Sequence, residues 1–201
     1  MTETIESIIN YWFGDAKSLE EINKEKAGLW WSKDSDVDKE ITQRFESVIN
    51  QVSRGMLADW QNTPKGLLAL ILSTDQFPRN MYRHSARSFD YDKLAIGFAN
   101  TLLSNGWEKQ LRVIERVFCF LPFEHSENMA DQNRSVALYE ALVGQGETEK
   151  ENEIIRGYLA FAEKHRDFIQ RFGRFPHRNA ILHRESTSEE LDFLSQPGSS
   201  F

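Results

Sequence analysis

Residues 67–72 read Leu-Leu-Ala-Leu-Ile-Leu and are apolar on every side. A helix at a surface keeps one polar face, so a segment without one belongs inside a core. The chain then changes abruptly to Asp75-Gln76-Phe77-Pro78-Arg79-Asn80, polar groups delivered at the end of a buried element. Two later stretches repeat this gesture: Phe120-Leu121-Pro122-Phe123-Glu124-His125-Ser126-Glu127 and Arg174-Phe175-Pro176-His177-Arg178-Asn179. Pro78 is expected to end or bend its helix, and in each corner the proline fixes the exit direction of the chain.

The rest of the chain supplies amphipathic helices that can wrap this centre. Ile5, Ile8, Ile9 and Trp12 recur at helical spacing, with Gly14 as a stop. Residues 15–33 are less regular, with Leu19, Ile22, Trp30 and Trp31 as expected anchors. Val37, Ile41, Phe45, Val48, Ile49 and Val52 form one stripe, and Gly55 sits where a C′ glycine belongs. Thr63-Pro64 reads as an N-cap followed by proline at the first helical position, opening the central helix. Residues 79–91 read as a basic-aromatic loop, and Asp92 as the cap of a helix through Leu102. Further helices are predicted from about Glu108 into the Leu-Pro-Phe-Glu-His corner, and from Ser126, as N-cap, through Leu142. Thr148 to Glu151 fits a capping box opening a long helix, whose apolar face carries Ile154, Tyr158, Phe161, His165, Phe168 and Phe172. The acidic run 147–153 is its solvated start. Gly173 stops that helix, and Thr187 to Glu190 is a second capping box.

No segment shows the period-2 alternation of a sheet. The expectation is therefore all-α: one domain over 1–195 of about eight helices, stacked as hairpins in a bundle or tetratricopeptide-like arrangement, with a frayed tail at 196–201. No clean repeat period is visible. At 201 residues the chain can bury such a core without staples. A formal charge of −7 argues against nonspecific nucleic-acid binding, which needs a basic surface. The single cysteine, Cys119, lies in an apolar run and reads as a small buried hydrophobe. The acidic start has no signal-peptide pattern and no apolar run reaches bilayer length, so a cytoplasmic protein without membrane association is expected.

The motifs Tyr11-Trp12-Phe13-Gly14, Trp30-Trp31, the three proline corners and Arg184-Glu185-Ser186-Thr187 together resemble a bacterial family of unknown biochemical role, domain-of-unknown-function family 924. The likeness runs along essentially the whole chain. It implies a single helical domain of tetratricopeptide-like kind and no established activity. One position departs from the family pattern: His183 stands where a glycine is expected.

As chemistry, the corners bring Arg79, Asn80, His125, Glu127, Arg174, His177, Arg178 and Asn179 to helix ends. Arginine forks suit carboxylate or phosphate, and histidines titrate near neutral pH. One reading is an interhelical site for a small anion, with Arg79, Asn80, Arg174, Arg178 and Asn179 as binding groups. His125, His177 and Glu127 (or Glu124) would then supply acid/base chemistry. A second is a peptide- or protein-binding helical scaffold without catalysis. In a third the same residues brace helix ends, Asp75 pairing with an arginine inside the core and Gln76 bonding loop backbone. Ser126 has no Gly-x-Ser-x-Gly elbow, and the histidines lack His-x-x-x-His spacing, so neither a catalytic serine nor a metal site is expected, and no cofactor. His165 reads as a satisfied core histidine and the tryptophans as core packing.

Overall fold

Thr63 and Pro64 begin the central element as their order predicts, the Thr63 hydroxyl accepting the Gly66 N–H at 3.0 Å. In the structure, a computed structural model that describes residues 3–199, this helix runs Pro64–Ile71. Three α-helices precede it: α1 Ile5–Phe13, α2 Leu19–Trp31 and α3 Ser35–Ser53. The central helix is thus α4, and residues 67–72 are at most 1% exposed. Gly66 is required at its start, because a Cβ there would lie 1.9 Å from the Trp60 carbonyl oxygen.

Pro78 does not end the helical path. One wide π turn, Leu72–Gln76, leads directly into α5, Phe77–Met81, with the Phe77 N–H reaching the Leu72 carbonyl. Proline lacks the N–H that a regular turn would need and crowds the carbonyl four residues back, and a wider turn relieves both. The Ser73 and Thr74 hydroxyls donate back to the Ala69 and Leu70 carbonyls, each at 2.7 Å, so no polar group of this dry turn is wasted. After a 3-10 turn at Ala86–Phe89 come α6 Asp92–Ser104, α7 Val113–Glu124, α8 Met129–Glu140, α9 Glu149–Phe172 and α10 Ser188–Leu194. The helix predicted from Glu108 starts instead at Val113, where Glu115 accepts the Arg112 N–H and is itself buried against Lys65. Pro122 lies inside α7 rather than at its end.

The fold is all-α, with no strand among the described residues. Residues 15–33 conceal α2 because only Leu19, Ile22 and Trp30 of it are buried, too few to mark a stripe, while its N-terminus is capped both locally and from afar. Ser18 accepts the Glu21 N–H, and the buried Glu151 accepts the Leu19 N–H at 2.8 Å. Glu151 is therefore no solvated charge. Its carboxyl also takes the Glu147 N–H while Thr148 caps the Glu151 N–H, so only half of the expected capping box forms. The N-cap of α8 is Asn128 rather than Ser126.

Aromatic rings knit the core. Phe77 packs on Phe45 and Trp12 at centroid distances of 4.4 and 5.5 Å, and Phe118 meets Trp12, Phe13 and Trp30. Each such ring contributes about 1.5–3 kcal/mol by leaving water. Phe77 thereby clamps the first proline corner to α1 and α3. Trp30 is buried, but Trp31 is half exposed, as is Phe161 on the face of α9 expected to be covered. Cys119 is buried and free. No helix among the described residues is long and apolar enough to cross a membrane. Of the tail expected to fray, residues 196–199 form a turn in which the Ser199 hydroxyl donates to the Leu194 carbonyl; 200 and 201 lie outside the described residues.

Candidate functional site

The first two corners meet at Asp75 and His125. The π turn holds Asp75 with no exposure, and His125 caps the C-terminus of α7, where Gln132 of α8 donates to the Glu124 and Ser126 carbonyls at 2.6 Å. His125 Nδ1 stands 2.8 Å from Asp75 Oδ1. Burial alone would push the Asp75 carboxyl up, but Arg79 and His125 beside it outweigh that and hold it well below the usual carboxylate range. An ionised Asp75 only accepts, so Nδ1 carries the imidazole proton. Burial, joined by Arg79 and Arg178, pushes His125 below its ordinary pKa against the pull of Asp75. The neutral ring then presents Nε2 as a base, and no hydrogen bond engages Nε2 among the described residues.

Arg79 bridges two acids. Its guanidinium donates to the Asp75 backbone carbonyl at 2.5 Å, lies 3.3 Å from Asp75 Oδ1 and forks onto Asp92 at 3.0 and 3.3 Å. Asp92, predicted as a helix cap, thus spends its carboxylate on Arg79 instead.

The third corner arrives through Arg178, whose Nη1 donates to the His125 carbonyl at 3.0 Å. Its Cζ lies 4.6 Å from the centre of the Phe89 ring and 4.4 Å from that of Phe175. The nearest carboxylate oxygen is on Asp92 at 4.0 Å, and the buried Nε–H has no hydrogen-bond partner among the described residues. Burial and the neighbouring Arg79 bring its pKa down to about 10. His177 sits beside Phe175, ring centroids 5.6 Å apart, and burial with Arg178 close by lowers it to about 4.

Behind His125 lies a second imidazole–carboxyl pair. His165 is 6.2 Å from His125 between ring centroids, with Nδ1 2.8 Å from the Phe161 carbonyl and 3.0 Å from Glu124 Oε1. Burial raises the Glu124 carboxyl to about 8 and holds His165 well below its ordinary value. The expected core histidine is buried and satisfied.

The remaining predicted residues go elsewhere. Asn80 donates to Asp38, which Arg83 also grips, beside a surface cleft of about 350 Å³ that reaches neither His125 nor Arg178. Glu127 accepts both Arg184 terminal nitrogens at 2.6 and 2.9 Å and the Phe175 N–H at 2.8 Å. Arg174 forks onto Glu190 at 2.6 and 2.7 Å, and Asn179 links Ser186, Glu190 and Arg184. These form a brace for the C-terminal segment. In the sequence, Arg184 is marked by the family motif alone, and Phe89 only as one residue of the 79–91 loop. Their partners are too distant along the chain for spacing to reveal. Among the described residues no group of three His, Cys, Asp or Glu side chains is arranged to hold a metal ion.

A family model described as "Bacterial protein of unknown function (DUF924)" matches residues 8–198. A solved structure of a protein of unknown function from Agrobacterium tumefaciens is similar at 36% identity and TM-score 0.79, covering 94% of this chain and 96% of that one. No curated protein matches.

Proposed function

The chain belongs to this DUF924 family of bacterial helical proteins, and from that premise we propose that the meeting point of the three corners binds a small anion beside an acid/base histidine. Arg178 is the anion anchor, Arg79 fixes the local field, and His125, aligned by Asp75, exchanges the proton.

The observation that carries this reading is Arg178. A guanidinium this buried is costly unless its donors are matched by charge, yet it has one hydrogen bond, to a carbonyl, and an unpartnered Nε–H. Asp75–His125 supports the acid/base part, since a carboxylate on Nδ1 fixes the tautomer that leaves Nε2 basic. The π turn that supplies Asp75 is a distortion often met at functional sites.

Thermal melting with small anions and their uncharged amide or alcohol analogues tests it. An anion at a hundred times its dissociation constant adds about 2.7 kcal/mol, several degrees for a domain of this size. Arg178→Met should abolish the shift, whereas His125→Gln should keep it and abolish any turnover of the bound anion. Equal shifts with anions and neutral analogues, or none with either, would remove the reading.

A further inference from the structure

Among the described residues, Arg44, Arg83 and Arg174 each grip both oxygens of a carboxylate side-on through Nε and Nη2. Arg44 holds Glu3 at 3.0 and 3.3 Å, Arg83 holds Asp38 at 2.7 Å twice, and Arg174 holds Glu190 at 2.6 and 2.7 Å. Arg178 has the same edge with neither nitrogen engaged among the described residues, although its side chain is 8% exposed against 34%, 25% and 27% for the others. Building on the anion reading above, we infer that the ligand of this site is a monocarboxylate, received side-on by the Nε and Nη2 edge of Arg178.

Two features select carboxylate over a phosphate group. With Phe89 and Phe175 packed against the guanidinium and Nη1 committed to the His125 carbonyl, one pair of parallel N–H donors remains. Two parallel donors match the two coplanar oxygens of a carboxylate. A phosphate monoester would bring a third terminal oxygen with no donor assigned to it, at the cost of burying an unsatisfied charged group. Charge points the same way. Asp92, committed to Arg79, lies 4.0 Å from Arg178, so a dianion meets more repulsion there than a monoanion does.

The test uses the whole chain labelled with nitrogen-15, titrated at constant ionic strength with acetate, propionate or benzoate and, separately, with inorganic phosphate or methyl phosphate. The carboxylates should move the buried Arg178 Nε–H resonance in a saturable way and raise the melting temperature; the phosphates should do neither at equal concentration. Arg178→Lys, which keeps the charge and loses the fork, should weaken carboxylate binding about tenfold or more. Phosphates binding as well as carboxylates, or better, would overturn the carboxylate assignment and leave the anion reading standing. No response to any anion would overturn both. A carboxylate response that leaves the Arg178 resonance unmoved or survives Arg178→Lys would place binding elsewhere and overturn the assignment; the wild-type resonance decides even if the variant fails to fold.

Discussion

The brace around Glu127 and the site around His125 are both built from arginine and carboxylate chemistry, yet they are put together differently. Around Glu127, Arg174, Arg184 and Glu190 every fork finds its acid: Arg184 on Glu127, Arg174 on Glu190, with Asn179 tying the two pairs together. Around His125 the charges are more deeply buried and less completely matched, Arg178 being the plainest case. Completed forks are what a chain builds to hold loops. An incomplete fork in a drier place is what it keeps for something that comes and goes.

Asp75→Ala should have the largest effect, because it strips a buried carboxylate from between Arg79 and His125. Chemical denaturation should show a loss of about 3–5 kcal/mol, and a loss under about 1 kcal/mol would mean that the charges around His125 are no more deeply buried than those of the brace. Glu124→Gln probes the pair behind His125. The folded-state pKa near 8 lies above the ordinary 4.5, so the stability of the protonated carboxyl is fully present below that lower value and is lost as the pH rises through about 8. The variant should match the wild type at pH 4 and gain on it at up to about 1.4 kcal/mol per pH unit within that window. Parallel stability curves from pH 4 to 9 would show that Glu124 stays ionised.

In the brace, Glu127→Ala should cost about 1–2 kcal/mol through the lost Phe175 N–H and Arg184 bonds, with anion-induced melting shifts unchanged. A lost shift would merge the brace with the site. Within the brace's own loop, His183 has φ 54°, the left-handed conformation that glycine takes freely. His183→Gly should raise stability by about 1 kcal/mol, measured as a higher denaturant midpoint. The smallest effect is expected where the comparison is sharpest: Arg178→Met should change the stability of the unliganded protein by less than about 1 kcal/mol. A loss of several kcal/mol would make Arg178 a brace too.

What the sequence made legible was local. Gly14, Gly55 and Gly173 end helices with positive φ, Thr63-Pro64 and the Thr187 box start them, and the uniformly apolar 67–72 is the buried centre. The glycine expected at position 183 is explained by the same backbone angle, which histidine keeps here. Features set by distant partners stayed hidden. The Leu19 N–H of α2 is taken by Glu151, 132 positions along the chain. Pro78 reads as an end or a bend, and the π turn that accommodates it leaves no periodic trace to decide between them. The site divides the same way. Composition marked Arg79, His125 and Arg178, which do converge, but could not separate them from Asn80, Arg174 and Asn179, whose partners lie in other places. Asp92 is marked in the sequence only as a helix cap, and nothing there points to its pairing with Arg79.

The π turn has one more consequence, in terms of chain length. Relative to a regular helix it amounts to a single inserted residue among positions 72–76. Each residue of an α-helix turns the chain by about 100°. A relative one residue shorter there would therefore swing its Phe-Pro-Arg-Asn segment about a quarter-turn around the axis, taking the aromatic clamp off the core and the arginine off its acids. Residue identity in this corner is thus only half of what a homologue must inherit. The other half is a count.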